Sequence, residues 1–395
     1  MCAIIGSFHL RKRVPCAKLL IEEMTRPCSS VDQSSGLRSR AREFESRQGY
    51  SHPHTCRVLF CRHRFSLLSF LICSFDIAMP LFLTETQVEK LLTMPEAMRV
   101  VEDAMREMGQ ARAVNRPRQR VRVPNGILHV MPAGLPTRGY LGFKYYTSFR
   151  GKTRFWFHLI DAETGDVLAI VQADRLGQQR TGAASGVATK FLARDDATTV
   201  GVIGTGWQAE SQLQAVCLAR AMRVAKCYSR NADHRNAFAK KMSVQLGINV
   251  VAVDSAEAAA RDADVIITAT NAREPVLRGE WIKPGAHINA VGANRAEARE
   301  LDDAAIQRST FICVDSVEQA KIEAGDLLAP IDTGVLSWER VSELSDLVAG
   351  KIKGRVHRDD ITLFKSLGIA LEDVAVGAWV YEQARALKIG REIEL

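Results

Sequence analysis

The chain has 395 residues, enough for about two domains that each bury a core. Its 47% hydrophobic and 25% charged content suits a globular enzyme. The formal charge of +8 invites a nucleic-acid reading, but residues 1–78 hold 12 Lys+Arg against 6 Asp+Glu, while the other 317 residues hold 41 against 39. With no basic stripe and no interleaved aromatics, no nucleic-acid partner is expected. Six of the nine cysteines precede Met79. Cys217, Cys227 and Cys313 follow in apolar surroundings, which points to reduced thiols in a cytoplasmic protein. No cysteine pair has zinc-like spacing, so no metal is expected.

Residues 1–78 show no sustained period, and the patterning improves abruptly at Met79-Pro80-Leu81. The stretches 29–37 and 42–47 read like translated arms of a tRNA gene. We therefore expect 1–78 to be a non-native or disordered extension, with the functional start at Met79. A membrane anchor over the apolar run 67–83 is the competing reading. That run is short of a full span and contains Asp76 and Pro80, so no membrane attachment is expected.

Thr84, with Gln87 three residues on, opens a first helix whose apolar face begins with Val88, Leu91 and Leu92. Pro95 opens a second, with Ala97, Val100, Val101, Ala104 and Met108 at helical spacing. Strands are expected at 120–123, 126–131, 140–146 and 154–161. Glu163-Thr164-Gly165-Asp166 makes a hairpin turn into a strand at 167–172. A helix follows over about 181–192. From Thr198 strands and helices alternate, with strands at 199–203, 224–228, 250–253, 265–268, 287–290 and 311–314. A long helix at 370–387 ends the chain.

This pattern predicts an α/β fold: a Rossmann doubly wound parallel sheet over 191–318, inserted in a discontinuous α+β substrate-binding and dimerisation domain. The first part of that second domain is 79–190. Residues 319–395 are expected to return to it as C-terminal helices.

The richest motif is Gly204-Thr205-Gly206-Trp207-Gln208-Ala209, between a strand and a helix. Gly204 permits the tight turn, Gly206 lets backbone approach a pyrophosphate, and Ala209 keeps helix and strand close. The first-turn amides and the helix dipole then face the anion. At the end of the second strand of this unit an acid would select NAD by binding the ribose 2′-hydroxyl. The chain instead reads Ser229-Arg230-Asn231, which can accept a 2′-phosphate and favours NADPH over NADH. Thr270, Val291 and Gly292, after later strands, complete the expected cofactor contacts.

Two cations stand out. Lys144 follows an apolar strand, where a bare ammonium is costly without a partner; the alternative is a packed stem with its head in solvent. Arg180 is expected at the start of a helix, where a cation gains nothing from the dipole, and its fork can hold a carboxylate.

Several stretches together resemble the ornithine cyclodeaminase/mu-crystallin family of NAD(P)-dependent proteins. They are Gly142-Phe143-Lys144-Tyr145-Tyr146, the run from Arg180 to Ser185, the Gly204 to Ala209 fingerprint, and the run from Ile288 to Asn294. Glu323-Ala324-Gly325-Asp326 and the segment from Leu367 to Asp373 add to these, so the resemblance covers Met79 to the end. It implies a homodimer and a substrate-contacting lysine at Lys144. It also implies a substrate carboxylate on Arg180 and, with Arg116, Arg118 and Arg122 as close competitors, on Arg120.

The chain departs from the ornithine-deaminating members twice. Their acid after Val-Gly-Gly is Asn294 here, an amide that cannot titrate. Their second acid is replaced by His129 here, either a satisfied strand histidine or a proton donor. The resemblance therefore implies an NAD(P)H-dependent reductase of small cyclic imino acids, of ketimine or Δ1-pyrroline-2-carboxylate type. Ornithine cyclodeaminase, NAD-dependent alanine dehydrogenase and a non-catalytic crystallin-like binding protein remain as alternatives. Asp302-Asp303 is expected to cap a helix rather than act in chemistry.

Overall fold

The structure, a computed structural model, describes residues 79–394. The expectations for 1–78, and most of the apolar run 67–83, lie outside them. Residues 81–83 of that run form a strand, β1 (Leu81–Leu83). No helix among the described residues is long and apolar enough to cross a membrane.

The first sheet contains β1, β2 (Val114–Asn115), β3 (Gln119–Val123), β4 (Gly126–Leu135), β5 (Tyr140–Phe149), β6 (Lys152–Asp161), β7 (Val167–Gln172) and β16 (Arg391–Glu392). Its order is β16-β1-β7-β6-β5-β4-β2, with β3 also on β4. Period-two patterning sets its faces. Met131, Lys144, Phe157 and Leu159 point inward and are buried, while Val130, Phe143, Tyr145 and Trp156 alternate with them and stay partly exposed.

The inner face packs against α6 (Ala370–Leu387), the last of the helices that position the site. The others are α1 (Glu85–Leu91), α2 (Met94–Gly109), α3 (Asp174–Leu192), α4 (Trp207–Ala219) and α5 (Ala232–Leu246). The predicted caps form: Gln87 Oε1 accepts from the Thr84 amide at 2.9 Å, and Asp302 Oδ1 accepts from the Ala305 amide at 2.8 Å.

The second sheet is parallel throughout. It contains β8 (Thr199–Ile203), β9 (Val224–Tyr228), β10 (Asn249–Ala252), β11 (Val265–Thr268), β12 (His287–Ala290), β13 (Phe311–Val314), β14 (Val341–Glu343) and β15 (Thr362–Lys365). Its order is β10-β9-β8-β11-β12-β15-β13-β14, which reverses direction at β8 and so creates the crevice where such folds bind ligands.

Two expectations are corrected. α3 starts at Asp174, seven residues before the expected 181, because Glu85 accepts from the Asp174 and Arg175 amides at 2.7 and 2.9 Å. A cap supplied from another helix leaves no local signal. Arg180 therefore lies in the second turn of α3, and the dipole argument made for it does not apply.

The parallel sheet also extends past 318: β14 and β15 lie in the segment expected to be helical, and β15 sits between β12 and β13. β15 escaped notice because it ends in a charge. Lys365 is fully buried there and paired with Asp326 at 3.0 Å.

Candidate active site

The fingerprint forms the expected cradle at the end of β8. Gly204 has φ +103°, and a Cβ there would lie 2.3 Å from the Ala269 carbonyl oxygen, so only glycine fits. Gly206 is the N-cap of α4 and gives no side-chain cap, which leaves first-turn amides for an incoming anion. Beside it Thr205 Oγ1 donates to Ser229 Oγ at 2.8 Å, and the Asn231 side chain caps α5 by accepting from the His234 amide at 3.0 Å. Arg230 is exposed at the rim. Trp207 is exposed too, while Gln208 Oε1 is buried without a hydrogen-bond partner. These residues fit a dinucleotide.

The floor of the crevice is tied together by a carboxylate that the sequence did not single out. Glu300 is fully buried and accepts from Thr268 Oγ1 (2.9 Å), the Thr270 amide (2.7 Å), Thr270 Oγ1 (2.8 Å) and the Gly292 amide (2.7 Å). The Val291 amide donates to the Thr268 carbonyl at 2.9 Å. The loops after β11 and β12, which carry Thr270, Val291 and Gly292, are thus locked to one another. Burial pushes the Glu300 carboxyl up, with Lys365 pulling against it.

The two predicted cations meet between the first sheet and α6. Lys144 is 1% exposed and donates to Asp373 Oδ1 at 2.8 Å. Arg180 donates from Nε to the same oxygen at 2.9 Å and from Nη1 to Glu372 Oε2 at 2.9 Å. Burial, helped by the Arg180 charge, lowers the Lys144 ammonium to about 7, against the pull of Asp373. For Arg180, burial works against the charge, but Asp373 and Glu372 outweigh it and raise the guanidinium further. Burial also pushes Glu372 up to about 8, and its Oε1 has no hydrogen-bond partner.

Two more arginines flank this pair. Arg118 is 5% exposed and bridges Glu323 Oε1 (2.7 Å), the Leu367 carbonyl (2.9 Å) and the Gly368 carbonyl (3.0 Å). Arg120 pairs with the other oxygen of Glu323 and reaches the Asn294 carbonyl at 3.2 Å. Gly368 links the two groups. Its φ is +72°, and a Cβ there would sit 2.2 Å from Arg180 Nη1. Arg118 and Arg180 therefore converge on one peptide, with Arg120 a step further out.

His129 lies on the inward face with Lys144, stacked on Tyr146 at 4.0 Å. Burial, then Arg120, Arg118 and Arg122, lowers it to about 4, so it is neutral near pH 7 and a poor proton donor there. Sequence reasoning named Arg118 only as a competitor of Arg120 and assigned no role to Glu323, Glu372 or Asp373. The two acids of α6 did carry a signal, since they interrupt the apolar, buried first half of that helix. The thiols of Cys217, Cys227 and Cys313 are free, and burial pushes the first two up to about 12 and about 11.

Comparison with known proteins identifies the family. An alanine dehydrogenase of Archaeoglobus fulgidus is 37% identical over 325 residues, spanning 80% of this chain and 98% of its own. The ketimine reductase mu-crystallin of Mus musculus is 36% identical over 264 residues, 65% of this chain and 80% of its own. The solved Δ1-pyrroline-2-carboxylate reductase of Thermococcus litoralis, in complex with NADH and L-proline, matches with a TM-score of 0.77 at 38% identity. It covers 79% of this chain and 100% of that one. The profile of the ornithine cyclodeaminase/mu-crystallin family matches residues 78–388, and the chain belongs to that family.

Proposed function

We propose that this protein reduces a small cyclic imino acid, of ketimine or Δ1-pyrroline-2-carboxylate type, to the corresponding amino acid. As a family member it is an NAD(P)-dependent oxidoreductase acting on CH–NH or C=N groups. The observation that carries the finer reading is the buried Lys144, lowered to about 7 and held beside Arg180. Such an ammonium can give up a proton near neutral pH, and the arginines can hold a carboxylate.

The bound nicotinamide supplies the hydride. Arg180 and Arg118, on either side of Gly368, bind the substrate carboxylate, with Arg120 supporting them through Glu323. Lys144 gives its proton to the imine nitrogen. Asn294 cannot activate water, which favours net reduction over ammonia loss. Ser229 and Arg230 favour NADPH. The free thiols suit a reducing cytoplasm. The partly exposed apolar outer face of the first sheet suits a homodimer.

Alanine dehydrogenation is the second reading, favoured by the Archaeoglobus fulgidus relative. The purified protein is mixed with NADPH or NADH and Δ1-pyrroline-2-carboxylate, and the loss of nicotinamide absorbance is followed. Rapid loss is expected, faster with NADPH. Pyruvate and ammonia as the sole productive pair, or ammonia release from ornithine with NAD, would overturn the proposal.

A further inference from the structure

Lys144 and Arg180 arrive on different elements, β5 and α3, yet share one atom. Asp373 Oδ1 accepts from Lys144 Nζ at 2.8 Å and from Arg180 Nε at 2.9 Å, and the carboxylate is fully buried. It sits in the first turn of α6, where the helix dipole favours a negative charge. The other surroundings do not support the ammonium. Arg180 and Arg118 repel it, Glu323 is taken up by Arg118 and Arg120, Glu372 turns to Arg180 Nη1, and His129 on β4 is neutral.

We propose that Asp373 is a positioning residue for the reduction. It holds the Lys144 ammonium charged and aimed, and it fixes Arg180 through Nε so that the Nη2 end stays free for the substrate carboxylate. This rests on the imine-reductase reading of the site. In each turnover one proton leaves Lys144 Nζ for the imine nitrogen. The hydride pair becomes the new C–H bond, the C=N π pair becomes the N–H bond, and a solvent proton restores the ammonium.

The test is the pH dependence of kcat/KM for imine reduction in the wild type and in Asp373→Asn. Asp373 raises the Lys144 pKa, so its removal lets the ammonium deprotonate at lower pH. The alkaline limb of the variant should move to the acid side by about one pH unit or more, the size expected for losing one adjacent opposite charge. The pKa of the free imine is common to both proteins and cancels. Asp373→Glu should restore most of the limb.

A uniform drop in rate with an unmoved limb would mean a purely structural role and would sink the proposal. Should Asp373→Asn not fold, Asp373→Glu carries the test, since the longer arm weakens the contact and shifts the limb by a smaller amount in the same direction. A readout independent of turnover is the Lys144 15Nζ resonance, assigned by its loss in Lys144→Met. It should titrate at lower pH in Asp373→Asn even if no cyclic imine is reduced, so failure of the substrate reading is distinguishable from failure of the positioning role.

Discussion

Arg118, Arg120 and Arg122 lie two residues apart, so their spacing alone cannot say which is buried. The decision is made far away in sequence, by Glu323 and by the Leu367 and Gly368 carbonyls. Arg118→Lys should therefore be more damaging than Arg120→Lys. One ammonium cannot replace a fork that spans a carboxylate and two carbonyls. We expect the KM for the imino acid to rise by about tenfold or more in Arg118→Lys, roughly 1.4 kcal/mol, with the KM for NADPH little changed. Equal effects on both constants in steady-state kinetics would refute the assignment. Lys144 and Arg180 were legible because a charge on an apolar segment demands a partner. The partners Asp373 and Glu372 were not assigned, because pairing across elements leaves no local spacing to read.

At the scale of elements, strand–turn–helix at 199–219 could be read directly, since the small-residue run, the glycines and the helical pattern agree with one another. The turn also makes a sharp demand. Alanine at Gly204 would need φ +103° and would press on the Ala269 carbonyl. Gly204→Ala should cost about 2 kcal/mol or more of stability and weaken NADPH binding, measured by thermal melting and by fluorescence titration. Unchanged cofactor affinity would show that the turn does not serve the dinucleotide. The departures have physical reasons: the start of α3 is capped from α1, and β15 ends in a lysine that Asp326 neutralises.

Over the whole molecule, the parallel sheet follows from the alternation of strands and helices, and the discontinuous second domain follows from the helix at 370–387. What the sequence concealed is how late the chain leaves the parallel sheet. The first sheet adds a prediction of its own. Val130 and Tyr145 are directly opposite on β4 and β5, on the outer face. If that face joins two copies, Val130→Glu with Tyr145→Glu places paired like charges in the interface and should yield a monomer by analytical ultracentrifugation. A charge at Val244, 83% exposed on α5, should leave the dimer intact. A wild-type monomer would end the proposal.

The route from β15 into α6 has a mechanical consequence. Only residues 366–369 separate the parallel sheet from the helix that carries Glu372 and Asp373. The Leu367 and Gly368 amides both end on Asp315 Oδ2, at 2.7 and 2.6 Å, and their carbonyls end on Arg118. Held on both sides, this crossing is a weld rather than a hinge. The other crossing, residues 193–198, is pinned as well: Arg220 donates to the Ala193 and Arg194 carbonyls at 2.8 and 2.9 Å, and the Thr198 amide donates to Asp264 at 2.8 Å. The two sheets are thus joined as one piece, and an arginine assigned to the substrate carboxylate is itself one of the rivets.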